Sequence, residues 1–304
     1  MQAFRPGLVH TPVTPFGRDN SIDFDVLATL IDFHARNGAD ALALPMHAGE
    51  SVSLSEEEKR ELIAFAVERA RGRLPVIAHV SNAGTALAAA LAEAAQAIGA
   101  AAVVATTPYY WTPPPAMLLK HFHQIGAAVE IPFFVHNAPE EMAGTKITAE
   151  LALKLIDQLP NFAGIVDASL DWQFMIELMT DATRVRPAFQ LLSGTEHMVS
   201  AGAIGATGTF SSLAAIAPRL VRRLHDLCRD EKFFEARPAQ EEIAALRQSI
   251  KVGGPASLKA ALRHLGRDCG EPRPPLLALD ASAQQALRAA LAALPALGGE
   301  PRGW

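Results

Sequence analysis

PFFVHNAPEEMAGTKITAELALKLIDQLPNFAGIVD, residues 132–167, contains one complete repeat of the fold. It opens on an apolar run of strand length, Pro132–Asn137, and closes on another, Phe162–Asp167. The stretch between them has helical periodicity, and Thr148 is a plausible start for that helix. Strands that alternate with helices in this way pair in parallel through right-handed crossovers.

The same alternation extends in both directions. Further strand-length runs fall at Leu8–Val13, Ala41–Met46, Pro75–Val80, Ala101–Thr106, Phe189–Ser193 and Ala206–Phe210, with helical patterns in the gaps. Eight such units predict closure into a (β/α)8 TIM barrel, and 304 residues suit that fold with extra helices. Ser55 before Glu56, Glu57 and Glu58 reads as a capping box, and Asp23 as another helix start. Gly38 and Gly99 follow helical runs, where a left-handed residue is common. Past the eighth strand, Ile216–Arg229, Phe233–Ile250, Ala256–Leu265 and Ala281–Ala293 read as helices, more than a barrel needs. The expected division is a barrel over 1–225 and C-terminal helices packed on it over 226–304, with GGEPRGW as a flexible tail.

Half the residues are hydrophobic and 19% are charged, enough to bury a large core. A net charge of −5 argues against nucleic acid or an anionic membrane as partner. There is neither a long uncharged apolar run nor a signal-like N-terminus, so the expected setting is the cytoplasm. Two scattered cysteines, Cys228 and Cys269, fit that setting as free thiols.

In such a barrel, the chemistry sits at the carboxyl ends of the strands. The second strand leads into His47-Ala48-Gly49-Glu50, and the third ends in His79. Thr106-Thr107-Pro108-Tyr109-Tyr110 ends the fourth, His136-Asn137 the fifth and Val166-Asp167 the sixth. Ser193-Gly194-Thr195-Glu196 ends the seventh, and Thr209-Phe210 lies in the glycine-rich eighth. Three histidines on one rim suggest acid/base chemistry or metal ligation. His34, His121, His123, His225 and His264 fall in helices and read as surface or packing residues; the facing of His10 is open.

At these motifs the chain resembles the dihydrodipicolinate synthase/N-acetylneuraminate lyase family of barrel aldolases. The resemblance runs from Gly7 to the last helix. It rests on Val13-Thr14-Pro15-Phe16, Gly49-Glu50 with Ser53-Leu54-Ser55-Glu56-Glu57-Glu58, Pro75-Val76-Ile77-Ala78, Thr107-Pro108-Tyr109-Tyr110, Asn137-Ala138-Pro139, Gly164-Ile165, Ser193-Gly194 and Gly205 through Ser211. It implies a homo-oligomer, a tetramer or dimer. It also implies a pocket where a lysine on strand six forms a Schiff base with a 2-keto acid such as pyruvate. The chain departs from that pattern. The lysine position is Val166, the proton-shuttling tyrosine is His136, and the carboxylate-binding threonines are His47 and Ala48. Glu140-Glu141-Met142 stands where synthases carry an arginine; Tyr110, Gly49 and Glu50 are retained. Of the seven lysines, at 59, 120, 146, 154, 232, 251 and 259, none ends a strand. Pyruvate Schiff-base chemistry is therefore expected to be absent.

Three readings follow. The first is a lyase acting on a small polar metabolite without a cofactor. It would use His136, His47 and Tyr110 for proton transfer and Asp167 to orient an imidazole. Ala48, Gly49, Glu50, His79, Val166, Ser193, Glu196, Thr209 and Phe210 would line its substrate site. The second is a lyase or hydrolase with a divalent metal such as Zn²⁺ on His47, His79 and His136, joined by Asp167 or Glu196. The third is a small-molecule-binding barrel that kept the scaffold and lost the chemistry.

Overall fold

The computed structural model describes residues 4–140 and 145–304. Eight strands close into one parallel barrel in chain order. They are β1 (Leu8–His10), β2 (Ala41–Leu44), β3 (Val76–His79), β4 (Ala102–Thr106), β5 (Phe133–Asn137), β6 (Phe162–Asp167), β7 (Gln190–Ser193) and β8 (Gly208–Ser211). β1 pairs with both β2 and β8, so the sheet has no open edge. The eight expected strands are all present, trimmed at their ends where runs such as Pro12-Val13 leave the ladder.

The outer ring comprises α1 (Phe24–Arg36), α2 (Glu56–Ala70), α3 (Thr85–Ile98), α4 (Pro115–Ala127), α5 (Ala149–Gln158), α6 (Trp172–Val185), α7 (Met198–Ala203) and α8 (Pro218–Arg229). The expected caps form: Asp23 and Thr148 accept from backbone amides, and Ser55 and Glu58 complete a reciprocal capping box. Gly38 and Gly99 both have positive φ, at 86° and 100°. Gly164 on β6 is required by packing, because a Cβ there would stand 2.3 Å from the Gln190 carbonyl oxygen on β7.

Strand parity sorts the core. Val9, Ala41, Ala43, Ile77, Ala102, Val104, Phe134, Val166, Leu192 and Phe210 form one buried cluster inside the barrel. Their neighbours along each strand face the helices. Three helices follow the ring: α9 (Phe233–Ile250), α10 (Pro255–His264) and α11 (Ala281–Ala292). They bury Ile243, Leu246, Leu258, Leu262, Leu287 and Leu291 against α8.

Two expectations about the C-terminal region change. A cut after residue 225 falls inside α8, which belongs to the barrel ring. The final residues are not a free tail. Buried Arg267 donates to the Pro301 and Gly303 carbonyls, and the Gly303 amide donates to Leu265 O at 2.8 Å. Buried Glu300 accepts from the amides of Arg219 and Leu220 at the start of α8, an anion at a helix N-terminus. Both cysteines are free and buried. No helix among the described residues is long and apolar enough to cross a membrane.

Candidate active site

A cavity of about 190 Å³ opens at the carboxyl ends of β2 to β5. His47, His79, Thr106 and His136 give it polar walls, with Glu50, Ser51 and Ser53 at one side. Val52, Ala138, Pro255, Pro275 and Leu276 supply the apolar part. Ser51, Val52, Ser53 and Ala138, near expected residues in the chain, were not among the anticipated site residues, nor were Thr106, Pro255, Pro275 and Leu276. Thr106 was legible by parity, since it lies two residues beyond inward-facing Val104. Pro255, Pro275 and Leu276 come from the C-terminal region and carry no local signal.

The three rim histidines are not equivalent. His79 is buried, and its Nε2 lies 2.7 Å from Ser81 Oγ, which itself accepts the Thr106 amide. A second bond joins the ring to the Pro45 carbonyl. A carbonyl only accepts, so the single N–H of the neutral ring goes to Pro45 and Nε2 takes the Ser81 hydroxyl proton. Burial above all, with His136 and Lys59 nearby, lowers its pKa to about 3, against the pull of the Pro45 bond. His79 is therefore a saturated strut between β2, β3 and β4. In contrast, the rings of His136 and His47 have no hydrogen-bond partner among the described residues. Burial first, and His47 second, lowers the His136 pKa to about 4. His136 is thus a neutral imidazole whose nitrogens remain available to a ligand. It pairs in register with Val166, which is fully buried beside it.

Several anticipated residues lie elsewhere. Asp167 has the opposite parity to Val166 and faces away from the barrel interior. It accepts from Asn137 Nδ2 at 2.6 Å and from the amide and hydroxyl of Ser169, so it ties β5 to β6 and orients no imidazole. Ser193 and Thr209 also point outward: both hydroxyls donate to Thr195 O in the β7–α7 loop, and that of Thr209 also donates to Ser193 O at the end of β7. Glu196 is buried in an ion pair with Arg247 on α9, and it accepts from Ser211 Oγ and the Leu213 amide. Phe210 and Val166 sit in the barrel core below the cavity. Tyr110 is 85% exposed, packs edge-on against Trp111 and does not line the cavity within one chain. Glu141 and Met142 lie outside the described residues.

The turn at His47–Gly49 keeps its shape through a Thr14 hydroxyl bond to Gly49 O at 2.7 Å; Ala48 packs into the α8 cluster instead of the cavity. Glu50 follows in a left-handed conformation, its carboxylate 2.7 Å from Lys259 Nζ. Both partners are almost completely buried. Arg273 adds a backbone N–H to Glu50, a bidentate grip on Glu58 and a cation–π contact with Phe16. These links fix the segment that carries Pro275 and Leu276 over the cavity.

Among the described residues, no three His, Cys, Asp or Glu side chains come together in a way that could hold a metal ion. His79 has no nitrogen to offer, and Asp167 and Glu196 are engaged elsewhere. The metal reading of His47, His79 and His136 is therefore withdrawn. Outside the site, His10 and His34 form a buried pair, Nδ1 to Nδ1 at 3.0 Å, between β1 and α1. His10 thus faces the helices.

The profile of the Dihydrodipicolinate synthetase family matches residues 5–294. A 4-hydroxy-tetrahydrodipicolinate synthase of Azoarcus sp. (strain BH72) is 34% identical over 278 residues, covering 90% of this chain and 92% of its own. The enzyme of that name from Caldicellulosiruptor saccharolyticus is 31% identical over 281 residues, with 92% and 93% covered. The crystal structure of dihydrodipicolinate synthase from Aquifex aeolicus superposes with a TM-score of 0.90 at 29% identity, covering 96% of this chain and 99% of that one. With the barrel, its strand-end cavity and these matches in agreement, the chain belongs to the dihydrodipicolinate synthetase family.

Proposed function

We propose that this barrel is an imine-free lyase acting on a small polar metabolite, with His136 as its central group and His47 beside it. One observation carries the reading. Two unbonded imidazoles meet the cavity, Val166 stands beside His136, and none of the seven lysines lines the cavity. Lys146, Lys154 and Lys59 pair with Asp171, Glu150 and Glu56, and Lys259 with Glu50; Lys120, Lys232 and Lys251 are exposed. The synthase activity of the relatives is not extended to this chain for that reason.

Without an imine, C–C cleavage leaves negative charge on a substrate oxygen. A neutral imidazole N–H is a suitable donor to that oxygen, and the low pKa of His136 keeps it neutral throughout the physiological range. His47, at the exposed rim, is placed to exchange protons with solvent. A non-catalytic binding barrel is the second reading. The same low pKa favours it, since it makes His136 a weak base. Assembly into a homo-oligomer is part of the proposal. Val52, Leu87, Tyr110, Trp111 and Met117 are exposed apolar side chains carried by the segments that follow β2, β3 and β4.

The test is aldehyde release from a panel of small hydroxy-carbonyl compounds, with wild type and His136→Phe compared. Turnover by wild type that falls about 100-fold or more in a folded His136→Phe variant supports the lyase. Ligand-induced thermal stabilisation without turnover favours the binding barrel. Turnover unchanged by the substitution refutes the role given to His136.

A further inference from the structure

We infer that the cavity selects an uncharged ligand, a compound with carbonyl and hydroxyl groups and no carboxylate or phosphate. The inference rests on the imine-free reading and adds the ligand's charge class. It follows from where the cations are.

The eight loops that leave the carboxyl ends of the strands contain only two basic residues, Arg18 and Lys146. Arg18 lies in an exposed turn, and Lys146 is largely exposed, 3.4 Å from Asp171. Residues 141–144 are Glu-Met-Ala-Gly and add no base. The cations brought from elsewhere are already engaged: Lys59 by Glu56 at 2.8 Å, Lys259 by Glu50 at 2.7 Å, and Arg273 by both oxygens of Glu58. Lys251, in the turn before α10, is exposed and does not line the cavity. The start of α10 reaches the cavity as Pro255, whose nitrogen has no hydrogen to offer an anion.

A carboxylate entering this space would shed water and meet the neutral imidazoles of His136 and His79, hydroxyls and apolar walls. Losing hydration without gaining a cation is unfavourable. A neutral carbonyl or hydroxyl pays far less, and the open nitrogens of His136 and His47 match it as donor and acceptor. The volume sets the size. A cavity of about 190 Å³ suits a small metabolite and is below the size of the pockets that hold drug-sized ligands.

Probes that differ in the carboxylate decide the matter. Hydroxyacetone and dihydroxyacetone, against pyruvate and glycerate, are titrated into the full-length protein by ligand-observed NMR. His136→Phe and His136→Gln, each checked for native circular dichroism, serve as site controls. The inference expects the uncharged pair to bind, with each anion weaker by about tenfold or more, and the binding to be lost in His136→Phe. Anions that bind as well as the neutral compounds, and are lost with His136, overturn the charge class while leaving the imine-free reading intact. Binding of neither pair, or binding indifferent to both substitutions, also overturns it. A borohydride-trapped lysine adduct would instead overturn the imine-free reading itself.

Discussion

Replacing Lys259 with methionine is expected to destabilise the protein by about 3–5 kcal/mol, among the largest single-site effects outside the apolar core. The side chains of Lys259 and Glu50 are 1% and 0% exposed, so neither charge has water to fall back on. Burial lowers the Lys259 pKa, and the Glu50 carboxylate works against that shift. Without the ammonium, Glu50 would keep one bond from the Arg273 amide and lose its counter-charge. The left-handed turn that carries Glu50 also sets His47 at the rim, so the loss should reach the cavity. Thermal unfolding checks this: a fall on the order of 10 °C is expected for Lys259→Met. Adding Glu50→Gln should recover at least half of it, because a neutral amide no longer needs the cation. A fall of under about 2 °C in the single variant would mean that the pair is not buried as described.

Acid is expected to unfold the protein well before its carboxylates titrate. The pKa values of His34 and His79 are both lowered to about 3 from 6.5, chiefly by burial. In the unfolded chain these groups take up protons below about pH 6.5, and in the folded chain they do not. Their contribution is therefore full above pH 6.5 and is lost as pH falls from there towards 3. Each histidine accounts for about 1.4 kcal/mol per pH unit, so the two together give about 3 kcal/mol per unit. His136 and His121, lowered to about 4, add to the slope. Asp167, raised by burial, opposes it only as the pH nears the carboxylate range. Against a total stability of about 5–15 kcal/mol, unfolding near pH 5 follows. Melting temperatures from pH 8 to 4.5 test this. They should be flat above pH 7 and fall steeply below 6.5; a flat profile down to 4.5 would show that these imidazoles charge freely in the folded state.

The barrel was legible because its signal repeats. Each strand-length run sits between helical patterns, and caps such as Asp23, Ser55 and Thr148 mark where helices begin. Which strand-end residues face the cavity was also encoded, as the period of two. Val104 and Thr106, or Phe134 and His136, share a face, while Asp167, Ser193 and Thr209 lie on the other. Treating every polar strand end as a site residue overlooked that rule. The saturation of His79 could not be read, because its partners Pro45 and Ser81 come from two different strand ends. Nor could the roof of Pro275 and Leu276, held by Arg273 across more than 200 residues of chain. The tail read as free because Gly-Gly and Pro look like a linker, yet Glu300 finds a helix N-terminus and Gly303 a carbonyl.

On the imine-free proposal, Val166 marks a barrel that forms no Schiff base. The most direct test of that proposal is the intact mass of wild type and Val166→Lys after incubation with pyruvate and borohydride. An unchanged mass is predicted for wild type, and Val166→Lys alone should show no pyruvate aldolase activity, because His47 and Ala48 stand where the family resemblance places the carboxylate-binding threonines. A stable pyruvate adduct on any lysine of the wild-type protein would show that the barrel does form an imine.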